Sequence, residues 1–186
     1  MKHIDVDAIR EQSSARFAFL TDFCRFGADD WAGLDASLPF LAPVLPDLLD
    51  RLYEHLLAYD DTRRIFLGPQ GELDPQYIEL RKEHMTEWIM TAMTIRDADK
   101  FASYVTRVGR RHRGVAGQPD RAVPPRYMVA LMGFLQTEIA SALFATMAED
   151  PAGLQRSLLA WNKILMIQLE MFLKATAPGW PSWDEA

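Results

Sequence analysis

Apolar residues recur along this chain every three or four positions, and no stretch alternates apolar with polar residues as a half-buried strand would. Leucine, alanine and methionine dominate over valine and isoleucine, which also favours helix. The pattern predicts a moderately amphipathic helix over 6–26 that stops near Gly27. Asp29 and Asp30 open a short helix to Leu38, acidic at its start as the helix dipole prefers. Pro39, Pro43 and Pro46 punctuate the entry to a longer helix with Leu45, Leu48, Leu49, Leu52, Tyr53 and Leu56 on one side.

A brief helical turn with Ile65 and Phe66 follows, then the loop GPQGELDP. Pro75 begins a helix that reaches about Thr94, and another runs over 97–113. The stretch GVAGQPDRAVPP, with its glycines and prolines, reads as a loop. A long apolar helix is expected over 126–148, and Asp150-Pro151 starts a last helix to about Thr176. APGWPSWDEA, residues 177–186, reads as an irregular tail. The expectation is an all-α chain of about seven or eight helices, a single domain over 1–186 with no internal repeat.

Bulk properties narrow the function classes. A net charge of -6 argues against nucleic acid as a partner, because phosphate binding needs a basic face. One cysteine, Cys24, makes no internal disulfide, which suits a reducing compartment. No apolar run approaches the roughly 20 residues that span a bilayer, and MKHIDVDAIREQ lacks the apolar core of a signal peptide. A cytoplasmic protein without membrane contact is expected.

The four histidines differ by position. His3 belongs to the chain terminus, where solvated side chains are the rule. His55 sits among Asp50, Arg51 and Glu54, away from the leucine stripe, and reads as surface. His112 continues the apolar stripe Phe101, Tyr104, Val105, Val108, with Arg107, Arg110, Arg111 and Arg113 on the other sides. A core histidine bonded to a backbone carbonyl is the commoner reading of such a position, and a cofactor ligand the rarer one. His84 faces inward too, with Tyr77, Leu80, Trp88 and Ala92, so two histidines on adjacent helices would flank a flat cofactor. For Trp88 and Met85, packing suffices. Tyr53, at the edge of its leucine face, needs a partner for its hydroxyl if buried.

Other metal chemistries find no support. Arg81, Gly109 and Leu52 stand three residues before His84, His112 and His55, where a di-iron bundle needs glutamate. No His-x-x-x-His or Cys-x-x-Cys pair suggests zinc. Gly-x-Ser-x-Gly and Gly-x-Gly-x-x-Gly motifs are absent, so catalysis by side chains alone is not signalled and an enzyme is the less favoured reading.

The order of features resembles the globin domain of globin-coupled sensors and the related protoglobins, over nearly the whole chain. FGADDWAGLDASLPFLAPVLPDLLDRLYEHLL is similar to the family's first helices, LRKEHMTEWIMTAM to the distal helix, and YVTRVGRRHRGV to the segment with the proximal ligand. PPRYM is similar to the opening of the next helix and LLAWNKILMIQLEMFL to the closing one. The resemblance implies a globin fold with an extra N-terminal helix within 1–27, holding haem b non-covalently. It implies His112 as proximal iron ligand, Tyr53 as distal hydrogen-bond donor, and Tyr127 at the start of the following helix. Phe66, Trp88 and Val108 would pack the cofactor. His84 would lie in the distal pocket, bonding a bound gas or itself ligating iron.

Three departures stand out: a loop between His112 and Tyr127 longer than the family's, Arg126 in place of its tryptophan, and above all His84 where the family often has a small polar or apolar residue. Arg81, Arg110 or Arg113 would reach a propionate. The implied role is reversible binding of a diatomic gas (oxygen, carbon monoxide or nitric oxide) as sensor or oxygen binder. A homodimer through the last two helices, whose Leu131, Phe134, Ile164 and Leu165 would serve the core as well as the interface, and a separate signalling partner are also implied. Alternatives are a haem-free regulatory globin acting as an interaction module, or a haem enzyme with peroxidase or nitric-oxide-converting activity.

Overall fold

The computed structural model describes residues 5–113 and 122–176. The expectations for His3, for the middle of the loop after Arg113 and for the tail 177–186 lie outside those residues. In chain order the helices are α1 (Val6–Glu11), α2 (Ser13–Phe23), α3 (Ala28–Leu41), α4 (Leu45–Leu57) and α5 (Asp60–Arg63). They continue with α6 (Pro75–Thr94), α7 (Ala98–Arg111), α8 (Pro125–Thr146) and α9 (Pro151–Thr176). Short 3₁₀ turns at Ala42–Val44 and Arg64–Phe66 join them, and an isolated bridge pairs Leu67 with Leu73. No strand occurs among the described residues, as the periodicity predicts.

Local signals set the helix starts, Pro75 and Pro151 as the sequence predicts and Pro125 one residue before the expected start. Pro75, Pro125 and Pro151 each occupy the first helical position, where a missing N–H costs nothing. The side chains of Asp74 and Asp97 accept from the backbone N–H groups of Tyr77 and Lys100, capping α6 and α7.

Helix α9 is the central post, with α2, α3, α7 and α8 packed on it. Two glycines allow the closest approaches. A Cβ on Gly33 of α3 would lie 2.7 Å from the Arg156 carbonyl oxygen, and one on Gly109 of α7 would lie 2.9 Å from the Ala175 Cβ. Polar pairs lock the α3–α9 seam. The Trp161 indole donates to Ser37 Oγ at 3.0 Å, Ser157 Oγ donates to the Gly33 carbonyl at 2.8 Å, and Lys163 meets Asp30 at 2.7 Å.

Three expectations are corrected. The first segment is two helices, broken at Gln12, whose backbone is extended. Arg16 accounts for the break: its Nε donates to the Ile9 carbonyl at 3.1 Å while a terminal nitrogen pairs with Glu170 on α9. The next helix does not stop at Leu38 but runs through Pro39 to Leu41. Pro39 is exposed, so the carbonyl it leaves unpaired meets solvent, while buried Leu34, Ser37 and Leu41 hold the helix on course.

The third correction concerns the apolar surface. Ile164 and Leu165 are fully buried within the single chain, and Leu131 is half-buried, so the exposed apolar residues of α8 and α9 are instead Val129, Phe144, Leu159 and Met166. By length and composition alone, the stretches Ala28–Leu57 and Pro125–Thr146 are apolar enough to cross a bilayer, contrary to the sequence reading. Each nevertheless buries a stripe in the core, Met128, Met132, Leu135, Ile139 and Leu143 in the case of α8.

Candidate functional site

Helices α6 and α7 leave space between them that α4, α8 and α9 close off. It comprises a cavity of about 600 Å³ toward α4 and a smaller one of about 210 Å³ toward α9. Both are bordered by Arg81, His84, Met85, Arg107, Arg111, His112, Met128 and Leu131, so they share a wall and meet between the two histidines. The larger volume lies in the range of small-molecule and cofactor sites.

All seven residues singled out from the sequence border this space. Tyr53, Phe66 and Tyr127 line the larger cavity, Trp88 and Val108 the smaller, and His84 and His112 both. His55 lies elsewhere, exposed and stacked on Phe134 at 4.8 Å.

His112 sits at the C-terminal cap of α7. Its Nδ1 lies 3.0 Å from the Val108 carbonyl oxygen. That oxygen only accepts, so Nδ1 carries the proton and Nε2 keeps its lone pair. The ring also leans on Phe172 of α9, with centroids 5.7 Å apart. Burial pushes its pKa from 6.5 down to about 4, against the opposing pull of the Val108 bond and with a further downward push from the Arg81 charge. The imidazole is therefore neutral at physiological pH. Gly109 matters here, because the tight α7–α9 approach it permits is what brings His112 onto Phe172.

On the α6 side, His84 has its Nδ1 buried without a hydrogen-bond partner. Such an atom is costly unless a ligand engages it. Tyr53 is buried, edge-on to Phe66 at 5.7 Å. Burial drives its hydroxyl pKa well above the ordinary range, partly offset by the charge of and a hydrogen bond from Arg81. The phenol therefore stays protonated and able to donate. Tyr127 turns its hydroxyl outward to Asp61, while Arg126 covers its ring at 4.8 Å. Tyr127 thus builds the rim, with its donor already engaged.

Two features escape the sequence reading. Gln168, fully buried on α9, accepts from the Trp88 indole at 2.7 Å and fixes that ring, yet its own Nε2 has no partner. A lone glutamine inside the apolar run LMIQLEMFL was the available signal. Arg107 and Arg111, assigned from the sequence to the far sides of α7, border both cavities, whereas Arg113 borders neither.

These residues fit a haem. A neutral imidazole with a free Nε2 faces apolar walls, a buried polar atom opposite awaits a partner, and arginines stand at the edge. Among the described residues no group of three or more His, Cys, Asp or Glu side chains forms an alternative metal site.

Comparisons with known proteins bear on the fold and the family. A search of curated proteins finds no significant match. The globin domain of Geobacter sulfurreducens globin-coupled sensor superposes with a TM-score of 0.69 at 16% identity, covering 86% of this chain and 97% of that one. The shared fold is thus globin-like, with α1 ahead of the matched family region. The protoglobin family model matches residues 13–177, from the start of α2 to the end of α9, and the chain belongs to the protoglobin family.

Proposed function

We propose that this protein is a haem globin that reversibly binds a diatomic gas, with His112 as the proximal ligand. The observation that carries the proposal is the Nδ1 contact of His112 with the Val108 carbonyl, which leaves a neutral Nε2 on the cavity side. Bound there, ferrous haem b supplies an iron able to take oxygen, carbon monoxide or nitric oxide. Val108 fixes the tautomer and orientation of His112, and the Phe172 ring fixes its tilt. Tyr53, kept protonated by burial, donates toward the gas, and Trp88, held by Gln168, excludes water from the inner wall.

His84 supports a second reading of the same site. Its orphaned Nδ1 marks a side chain that takes its partner from whatever fills the cavity. His84 would donate a hydrogen bond to a bound gas or would itself help to hold the iron. The role in the cell is that of a gas sensor or oxygen binder. The exposed Phe144 and Leu159 of α8 and α9 serve as contacts of a homodimer.

The test is the visible spectrum of the purified protein in ferric, ferrous and carbonyl forms. The wild type is expected to show a Soret band at one haem per chain. His112→Gly is expected to lose stoichiometric haem and regain it with added imidazole. A colourless wild type after haem supplementation overturns the proposal and favours a haem-free interaction module. An unchanged ferrous carbonyl spectrum in the variant overturns the assignment of His112.

A further inference from the structure

Where α5 meets α8, the wall of the larger cavity hangs on a single residue. Thr62, Ile65 and Phe66, from α5 and the turn after it, line one side of that corner, and Tyr127, from the first turn of α8, lines the other. Among the described residues, no backbone hydrogen bond joins 60–66 to α8. Every side-chain hydrogen bond and ion pair that crosses between them ends on Asp61. Its carboxylate accepts from the Tyr127 hydroxyl and meets Arg126 at 3.5 Å.

The tie lies on the wet side of the wall and what it holds lies on the dry side. The Asp61 side chain is half-exposed and is shared with Arg64 of its own segment at 3.5 Å. The Tyr127 ring is half-buried, lining the cavity with the Arg126 guanidinium over it at 4.8 Å. Polar pairs in contact with water hold weakly, so this tie parts and re-forms readily. The ends of the segment are anchored independently: Thr62 and Arg63 donate to the Tyr59 carbonyl, and Asp74 donates to the Phe66 carbonyl. Loss of the Asp61 bonds therefore frees the corner without releasing the segment, and the apolar contacts of Ile65 and Phe66 draw it closed again.

We infer that Asp61, Tyr127 and Arg126 form a latch on a door at the α5–α8 corner, whose opening admits a planar, apolar molecule to the larger cavity. When the Asp61 bonds part, the Tyr127 ring turns outward about its own side-chain bonds and 60–66 moves off α8 on its anchored ends. When they re-form, the Tyr127 hydroxyl is satisfied outside the cavity, so the ring offers its contents only apolar surface. The same groups part for filling and for emptying. The latch therefore sets the rates of passage and leaves the strength of binding alone. It requires the larger cavity to be a ligand site and does not depend on that ligand being haem.

The test follows anilinonaphthalene sulfonate, a planar dye that brightens on leaving water, as it enters and leaves the haem-free full chain in a stopped-flow mixer. D61A is expected to speed uptake and release alike by about twofold to fivefold, as loss of an exposed charged tie warrants, with the dissociation constant unchanged. Y127F keeps the ring and loses the bond, so it should accelerate passage too. D61A/Y127F should be no faster than either variant alone, because both remove one tie. R51Q, which breaks the exposed Arg51–Glu138 pair between α4 and α8, should change neither rate. Unchanged rates in D61A overturn the latch, as do additive effects of the two substitutions. Faster release without faster uptake also overturns it, because that pattern marks a weakened binding wall. A wild type that takes up no dye overturns the door itself. No haem is present in this test, so a failure of the haem reading and a failure of the latch are told apart.

Discussion

Two polar regions of the same molecule are built on opposite rules. Along the α3–α9 seam each polar group has its partner in place: Trp161 on Ser37, Ser157 on the Gly33 carbonyl, Lys163 on Asp30. Between α6 and α7 the polar groups are left open, with His84 Nδ1 and Gln168 Nε2 buried and unpartnered, and four arginines (Arg81, Arg107, Arg110 and Arg111) without counter-charges among the described residues. Evenly satisfied polarity marks the seam as scaffold, because burying an unpaired donor or acceptor costs stability with nothing in return. The buried Glu170 Oε2, beside Arg16, also lacks a hydrogen-bond partner, but only at His84 does such an atom belong to a side chain that lines a cavity able to bring a ligand to it.

Three substitutions or conditions would break or sharpen that contrast, and the largest effect belongs to the seam. Trp161→Ala removes a fully buried indole and leaves the Ser37 hydroxyl without its donor. It should cost about 3–5 kcal/mol in urea unfolding, and a loss under 1 kcal/mol would mean the seam is less tightly packed than its hydrogen bonds imply.

The second effect concerns pH in the haem-free protein. The His112 pKa falls from 6.5 to about 4 on folding, so between these values the unfolded chain binds more protons and stability drops as pH falls. The contribution is fully present above pH 6.5 and gone below about 4. Over that window the wild type should lose roughly 1–3 kcal/mol more than His112→Asn. Parallel pH profiles for the two would place His112 in a solvated setting and remove its neutral imidazole.

The smallest effect runs in the opposite sense. His84→Leu replaces an orphaned polar group by an apolar one and should stabilise the haem-free protein by about 1 kcal/mol. In the loaded protein the same variant should speed gas release, or convert a six-coordinate ferric spectrum to a five-coordinate one. Destabilisation of the haem-free form would instead assign His84 to the scaffold.

Much of the architecture was legible because local rules dictated it. Pro75 and Pro151 set helix starts that the fold reproduces, and the spacing of Phe101, Val105 and Val108 aimed His112 inward. The site was legible only in part. Periodicity placed Arg107 and Arg111 on outer faces of α7, but long side chains reach around a helix, and their position at the cavity depends on where α6 and α8 pass. Gln168 looked like any polar interruption of a helix until Trp88, 80 residues away, appeared beside it.

By itself, then, the sequence determined the helices, their order and the inward direction of His84 and His112, since these follow from spacing within a few turns. Only the tertiary structure decided the rest. The break at Gln12 depends on Glu170 of a distant helix, and the passage through Pro39 depends on Leu34 and Leu41 being buried against the core. The removal of Ile164 and Leu165 from any outer surface depends on four helices converging on α9. In each case the deciding contact joins residues far apart in the chain, where no local propensity reaches.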